Sequence, residues 1–227
     1  MPSEESTVAS SREFDLVSIV VTFDPAKLEG VSPLGTQEIE AIEESLGETL
    51  KVGQVISTDR GSGSAIAIQR RQVDLLILGN RIEARSLQPE FSSDVARLMV
   101  KLLDSVISRL GSIPWDQIGY NFVLTVPLEG VAVQELSRSL LKDDLETKLG
   151  HPVKGGAVWV WLEVEDTLLW LRLQPHRDSP TTKRITANAN FLITSDSDLK
   201  FPSADDFGRS LLRYYELLDP ILKKMDL

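Results

Sequence analysis

His151 and His176 are the only imidazoles in the 227 residues, and the chain has no cysteine. That pair of facts removes much catalytic chemistry at once. A thiol nucleophile, a zinc-thiolate site, an iron–sulfur cluster and a disulfide framework all need cysteine, while a Ser–His–Asp relay or a multi-histidine metal centre has little material. His151 stands in a Gly-His-Pro turn, where an exposed bystander is expected. His176-Arg177-Asp178 has the order of a phosphoryl-transfer catalytic loop. The asparagine required five residues after its aspartate is Lys183, however, and no Gly-rich loop with a strand lysine precedes it. Gly61-Ser62-Gly63 lacks the Gly-Lys-Ser/Thr continuation of a phosphate-cradling loop and reads as a hairpin turn. Asp196-x-Asp198 lacks the glycine and the bidentate glutamate of a calcium loop. Asp143-Asp144 and Glu163-x-Glu165-Asp166 read as a helix exterior and a turn. No constellation demands catalysis, and none implies a metal or a cofactor.

One cluster rises above this background. If residues 157–173 form a hairpin turning evenly at Glu165-Asp166, Trp161 lies across from Trp170, Trp159 shares their face, and Arg172 stands beside them. The other face would carry Val158, Val160, Leu162, Leu169, Leu171 and Leu173, an apolar set suited to packing under helices. Clustered aromatics with a neighbouring arginine are what binding hot spots and ligand pockets use. The competing reading is that the tryptophans close the second sheet face against loops or another subunit. Immediately downstream, residues 174–184 (QPHRDSPTTKR) gather His176, Arg177, Lys183 and Arg184 in an otherwise acidic chain. They are either a solvated loop or the seat of an anionic ligand or acidic partner. Trp159, Trp161, Trp170, Arg172, His176, Arg177, Lys183 and Arg184 are thus the candidate binding residues.

The elements that must position them follow from periodicity. Phe14–Phe23 is a β-branched apolar run stopped by Asp24-Pro25, the pattern of a strand covered on both faces. Ile39, Ile42 and Leu46 recur at helical spacing after Thr36, and Gly47 marks a weak point or an end. From Leu50 to Ser86 the pattern is of three or four antiparallel strands, broken at 59–63, at Arg70-Arg71-Gln72 and at Gly79-Asn80. Ser92 or Ser93 caps a helix with an apolar stripe of Val95, Leu98, Met99, Leu102, Leu103, Val106 and Leu110. The order then restarts with a strand at 119–126, a helix carrying Val133, Leu136, Leu140, Leu141 and Leu145, the tryptophan hairpin, and a strand at 183–194. In the last helix Phe207, Leu211, Tyr215, Leu218 and Leu222 face inward, with Ser203 and Asp206 as a variant capping box.

Position matches point to an internal duplication. Val20-Val21-Thr22-Phe23 falls on Val123-Leu124-Thr125-Val126, Leu46-Gly47 on Leu149-Gly150, Lys51-x-Gly53 on Lys154-x-Gly156 and Val55 on Val158, all 103 residues later. Val95, Met99, Leu103, Val106 and Leu110 fall on Phe207, Leu211, Tyr215, Leu218 and Leu222 at an offset of 112, so the second copy holds an insertion, placed at about 174–184. Ile56 and Thr58 occupy the positions of Trp159 and Trp161, which makes the aromatic enrichment a feature of the second half alone.

The fold class expected is α+β: duplicated β-α-β(3–4)-α units, antiparallel sheet with helices packed on one face, divided as a tail (1–12), a first repeat (13–114) and a second (115–227). This order resembles the duplicated saddle of the TATA-binding-protein type, in which two such halves share one curved sheet with helices on its outer side. The nucleic-acid-binding members of that type are basic and wedge Phe into a minor groove. This chain is acidic and shows no such paired Phe, so the resemblance implies layout and not DNA binding. Leu76-x-Leu78-Gly79-x-Arg81 is similar to a strand turn in a family of sporadically distributed, uncharacterised bacterial proteins of similar length, and implies no activity.

Apolar content of 42% with 26% charged residues allows a sizeable core. A formal charge of −10 opposes non-specific binding to nucleic acid or anionic lipid. No window is long and apolar enough for a membrane span, and 1–12 lacks the order of a signal peptide, so a cytoplasmic location is expected. The function expected is a non-enzymatic binding or assembly protein with a protein partner or self-association. The alternative is a small-molecule sensor or enzyme with a pocket between the tryptophan face and the 174–184 loop.

Overall fold

Alternating inward and outward side chains along the strands of one sheet build this molecule. The computed structural model describes residues 13–23, 36–57, 61–78, 80–110, 114–132, 134, 157–165, 167–178, 181–195 and 201–224. The strands are β1 (Phe14–Phe23), β2 (Lys51–Ser57), β3 (Gly61–Ile68), β4 (Val73–Leu78), β5 (Arg81–Ser86), β6 (Trp115–Pro127), β7 (Val158–Val164), β8 (Thr167–Pro175) and β9 (Arg184–Thr194). They form one antiparallel sheet in the order β2-β3-β4-β5-β1-β6-β9-β8-β7. Among the described residues the long helices are α1 (Thr36–Leu46), α2 (Ser93–Leu110) and α3 (Ala204–Lys224). The fold is therefore mixed α+β. The proposed tail, the helix drawn through Val133 and Leu145, the Leu149-Gly150 and Lys154-x-Gly156 landmarks, His151 and Asp196-x-Asp198 lie outside the described residues.

One sheet face is the core. Val17, Ile19 and Val21 of β1, Tyr120, Phe122 and Leu124 of β6, Leu169, Leu171 and Leu173 of β8 and Ala187, Ala189 and Phe191 of β9 are buried together with Met99, Leu102 and Leu103 of α2. On α3 the buried set is Phe207, Leu211, Tyr214, Leu218 and Leu222. The helical stripe thus passes through Tyr214, where the sequence pattern had placed Tyr215. Adjacent positions on a helix differ by only about 100°, and each tyrosine finds aromatic company. Tyr214 stacks on Phe191 at 4.5 Å and meets Tyr120 at 5.1 Å, while the half-buried Tyr215 packs against Phe14 and Phe91.

Helix ends follow local chemistry. The Ser92 hydroxyl accepts from the Val95 amide at 3.3 Å, which makes Ser92 the cap of α2. At α3 the box is reciprocal: the Asp206 amide donates to Ser203 Oγ at 3.3 Å, and the Ser203 amide donates to Asp206 Oδ2 at 2.9 Å. Gly47 ends α1 at φ 65°, in the left-handed region that glycine reaches at no steric cost. β6 begins at Trp115, four residues before the start of the expected strand at Gly119: Ile118 continues the inward alternation, and a register shift between Thr22 and Phe23 brings Trp115 opposite Phe23, where it too is buried.

The register of the halves also departs from the expected offset. Outward from the central β1/β6 pair, β2 stands fourth on its side, whereas β7 stands third on the other. The match of Val55 to Val158 equates these two strands and so does not follow their places in the sheet. By position, the counterpart of β7 is β3, whose outward residues include Ala65 and Ala67.

Two outcomes are expected from this packing. Leu211→Ala, fully buried under the sheet, costs about 2–5 kcal/mol in denaturant unfolding. Hydrogen bonds from Ser203, then the contact with Arg209, hold the Asp206 carboxyl below the usual carboxylate range. Its stabilising effect is present above the unfolded-state value and is lost as pH falls through the lower folded value. Asp206→Asn should therefore lower the urea midpoint at neutral pH, and the deficit should vanish in acid.

Candidate functional site

The hairpin register puts the tryptophans where the alternation requires. Trp161 pairs with Trp170 and Trp159 with Arg172. The turn is made by Glu165 at φ 56°, the left-handed conformation that a tight two-residue hairpin loop demands at its first position. Arg213 of α3 holds Glu165 from beneath. Leu169, Leu171 and Leu173 go inward and are fully buried, so Leu168, Trp170, Arg172 and Gln174 must point out.

All three indoles are open to solvent, with 61% of Trp159, 67% of Trp161 and 37% of Trp170 exposed. They are nonetheless organised. Trp161 and Trp170 stack with centroids 5.5 Å apart and planes 12° from parallel, and the Arg172 guanidinium lies 5.0 Å over the Trp159 ring. The patch does not close against loops among the described residues; it faces outward.

Asparagines continue the surface. Reading the pairings across the sheet, one transverse row runs Trp161, Trp170, Asn190, Asn121, Ser18, Arg85, Asp74. Asn188 lies beside Arg172 in the next row. Between the tryptophans and Asn121, Asn188 and Asn190 is a hollow of about 170 Å³ whose only charged lining residue is Arg172. Asn121 donates to Ser18 Oγ at 3.2 Å. Asn190 Oδ1 is buried and has no hydrogen-bond partner. Its carboxamide lies over Gly119, where a Cβ would stand 3.0 Å from that oxygen. Sequence reasoning passed over these asparagines, although the alternation of Ala187, Asn188, Ala189 and Asn190 is visible in the chain.

The basic residues downstream go elsewhere. Gln174 and Pro175 belong to β8, paired with Thr186 and Ile185, and Arg184 opens β9. The connecting segment is therefore shorter than the expected 174–184 loop, because the strand pairing extends at both ends. His176 folds back onto the open face, its Nδ1 lying 3.1 Å from Thr186 Oγ1 and 3.4 Å from Thr125 Oγ1. Thr125 Oγ1 donates in turn to Asp15 Oδ2 at 2.9 Å, so Nδ1–H to Thr125 to Asp15 is the consistent donor order. His176 thus pins the loop to β6 and β1. It lies just beyond the end of β8, whose last residue, Pro175, is five residues and about 17 Å of strand from Trp170. None of His176, Arg177, Lys183 or Arg184 lines the hollow. Among the described residues no three carboxylate or imidazole side chains gather as a metal site, and no helix is long and apolar enough to cross a membrane.

No protein-family model matches the chain, and no curated protein matches it in sequence. The site's own geometry has to carry the functional reading.

Position on the sheet sets the expected cost of substitution. Trp115, 8% exposed, belongs to the core, so Trp115→Ala should cost about 3–5 kcal/mol. Trp161→Ala forfeits mainly its stacking, about 1 kcal/mol. In acrylamide quenching, a Trp159→Phe, Trp161→Phe, Trp170→Phe variant should lose the accessible emission and keep only the shielded emission of Trp115.

Proposed function

We propose that this is a non-enzymatic binding protein whose working surface is the open sheet face of its second half. The observation that carries this reading is the solvent-exposed stack of Trp161 on Trp170, flanked by Trp159 with Arg172 over it. Large aromatics left in water on the face opposite the core do little for folding. Tryptophan ordered before binding supplies area at small entropic cost, which is how binding hot spots work. The half also differs from its counterpart in kind. The open face of the first half carries ion pairs, Arg85 with Asp74 across two strands and Arg81 with Glu83 along β5.

A protein partner or a second copy of the chain would meet this face as an anchor surface, in the manner of an adaptor or assembly protein. A second reading, a compact ligand, is favoured by the hollow between the indoles and the asparagines. The two halves are proposed to derive from one duplicated unit of the saddle type. Support comes from the adjacent β1 and β6, which carry the matched Val20-Val21-Thr22-Phe23 and Val123-Leu124-Thr125-Val126 segments. The aromatic surface would then be an acquisition of the second unit.

The test is the native mass of freshly purified protein beside a Trp161→Ala, Trp170→Ala variant of the same fold. A mass above the 25.2 kDa chain, as an integer multiple or as a retained ligand or partner, should collapse to the bare chain in the variant. A folded variant that keeps the same mass and the same bound species overturns the reading.

A further inference from the structure

Resting on the reading of this face as the working surface, we propose that its ligand is a neutral oligosaccharide. The sugar lies across the strands, with ring faces on the Trp161–Trp170 stack and hydroxyls on Asn121, Asn188 and Asn190.

Area argues first, against a second copy. The exposed fractions of 61%, 67% and 37% leave roughly 400 Å² of indole surface open, taking about 250 Å² for a whole side chain. Two such patches face to face would bury about 800 Å², short of the roughly 1,200–2,000 Å² of a stable interface. The patch is of a size that suits a slender ligand.

Charge argues next, against a polyanion. Single-stranded nucleic acid stacks on aromatics but needs a cationic track for its backbone. Beyond the stack the transverse row offers Asn190, Asn121 and Ser18 before the first guanidinium, Arg85, which Asp74 already holds at 2.8 Å. Arg172 lies over Trp159, and the chain as a whole carries −10. A ligand without charge meets neither repulsion nor an unused cation.

Hydrogen-bond chemistry then selects among neutral ligands. The π-face of an indole is electron-rich, and one face of a pyranose presents only C–H groups of the opposite polarity. Its rim presents hydroxyls, each both donor and acceptor. Carboxamides are equally two-sided. Asn190 Oδ1 has no hydrogen-bond partner, so a turn of the amide about its last torsion, which has broad wells, breaks no bond at that oxygen and would offer either group to a hydroxyl. A proline-rich peptide would also lie on tryptophans, but it is rich in acceptors and poor in donors and leaves the oxygens of the asparagine row unmatched. About 14 Å separates the Trp161 strand from the Asn121 strand, three strand spacings, so a ligand must be extended to touch both ends.

The experiment is a titration of intrinsic tryptophan emission in the whole protein with cellohexaose, chitohexaose and maltohexaose, each at low and high salt. Oligothymidylate and an oligoproline peptide serve as competitors of other chemistry. The expected result is a saturable change with at least one hexasaccharide that is indifferent to salt and weakens about tenfold or more in Asn190→Ala and in Trp161→Ala. Asn190→Asp serves as a near-isosteric control, retaining the acceptors and lacking the amide donor, and should be intermediate. A response to oligothymidylate or oligoproline alone overturns the sugar assignment and leaves the binding surface standing. Sugar binding that survives both alanine variants overturns the assignment of this site. No response to any saccharide, with the tryptophans open to acrylamide, overturns the proposal outright.

Discussion

The antiparallel pairing of β1 with β6 is the constraint on which the rest of the molecule depends. Val17 faces Phe122, Ile19 faces Tyr120 and Val21 faces Ile118 on the core side, while Ser18 meets Asn121 on the other. Side chains alternate with a period of two, so a slip of one residue would carry Ser18 and Asn121 into the core and put Phe122 and Tyr120 in water. Every other strand is registered from this pair, outward through β5 on one side and β9 on the other. Where the register shifts between Phe14 and Leu16, one extra residue serves two ends. Phe14 turns inward against Phe91, Phe122 and Tyr215. Asp15 is left outside, where it receives the Thr125 hydroxyl and through it anchors His176.

Much of this was legible in the chain, for local reasons. The breaks at Arg70-Arg71-Gln72 and Gly79-Asn80 separate β3, β4 and β5, because turn residues act within a few positions of themselves; the break expected at 59–63 was too long, since Gly61-Ser62-Gly63, read as a hairpin turn, is the start of β3 and pairs with Val55, Ile56 and Ser57 of β2. The Glu165 turn fixed which face of the hairpin each tryptophan took, since only parity along two adjacent strands was needed. What lay hidden depends on registers several strands apart. The asparagine hollow draws on β6, β7, β8 and β9 at once; periodicity says that Asn121 and Asn190 point the same way but not that they are neighbours. His176 was read as part of a basic loop beside the tryptophans, yet two threonines and an aspartate from distant segments decide where it goes. The match of Val55 to Val158 departs from the sheet for a related reason: it aligned residue types in β2 and β7 without access to their different ranks in the sheet.

The open face is divided by chemistry at the same central pair. On the β1 side, Arg85 pairs with Asp74 across the strands and Arg81 with Glu83 along one strand. These side chains are a third exposed or less, and each of the four charges already stands against an opposite one. On the β6 side, the hollow on β6, β7, β8 and β9 is lined by indoles and carboxamides with Arg172 as its one guanidinium, and Glu163 and Arg184 stand exposed towards the ends of the same face. The indoles satisfy one another in part by stacking, yet each retains an open surface, and the amides retain unused hydrogen-bonding capacity.

That difference bears on how binding could be strong on so small a surface. Ordering side chains at an interface is a substantial cost of association, and here much of it is met within the fold. Trp170 stands between Trp161 and Asn190 on strands held by full ladders, above Leu169 and Leu171, which have no freedom to move. The indole planes are already within 12° of each other, and Arg172 is already laid over Trp159. An adjustable group is the Asn190 carboxamide, whose oxygen is unpartnered and whose room depends on Gly119 having no side chain. A rigid aromatic floor beside a rotatable amide recognises the shape of a ligand through the part that cannot move. Its choice between donor and acceptor rests on the part that can.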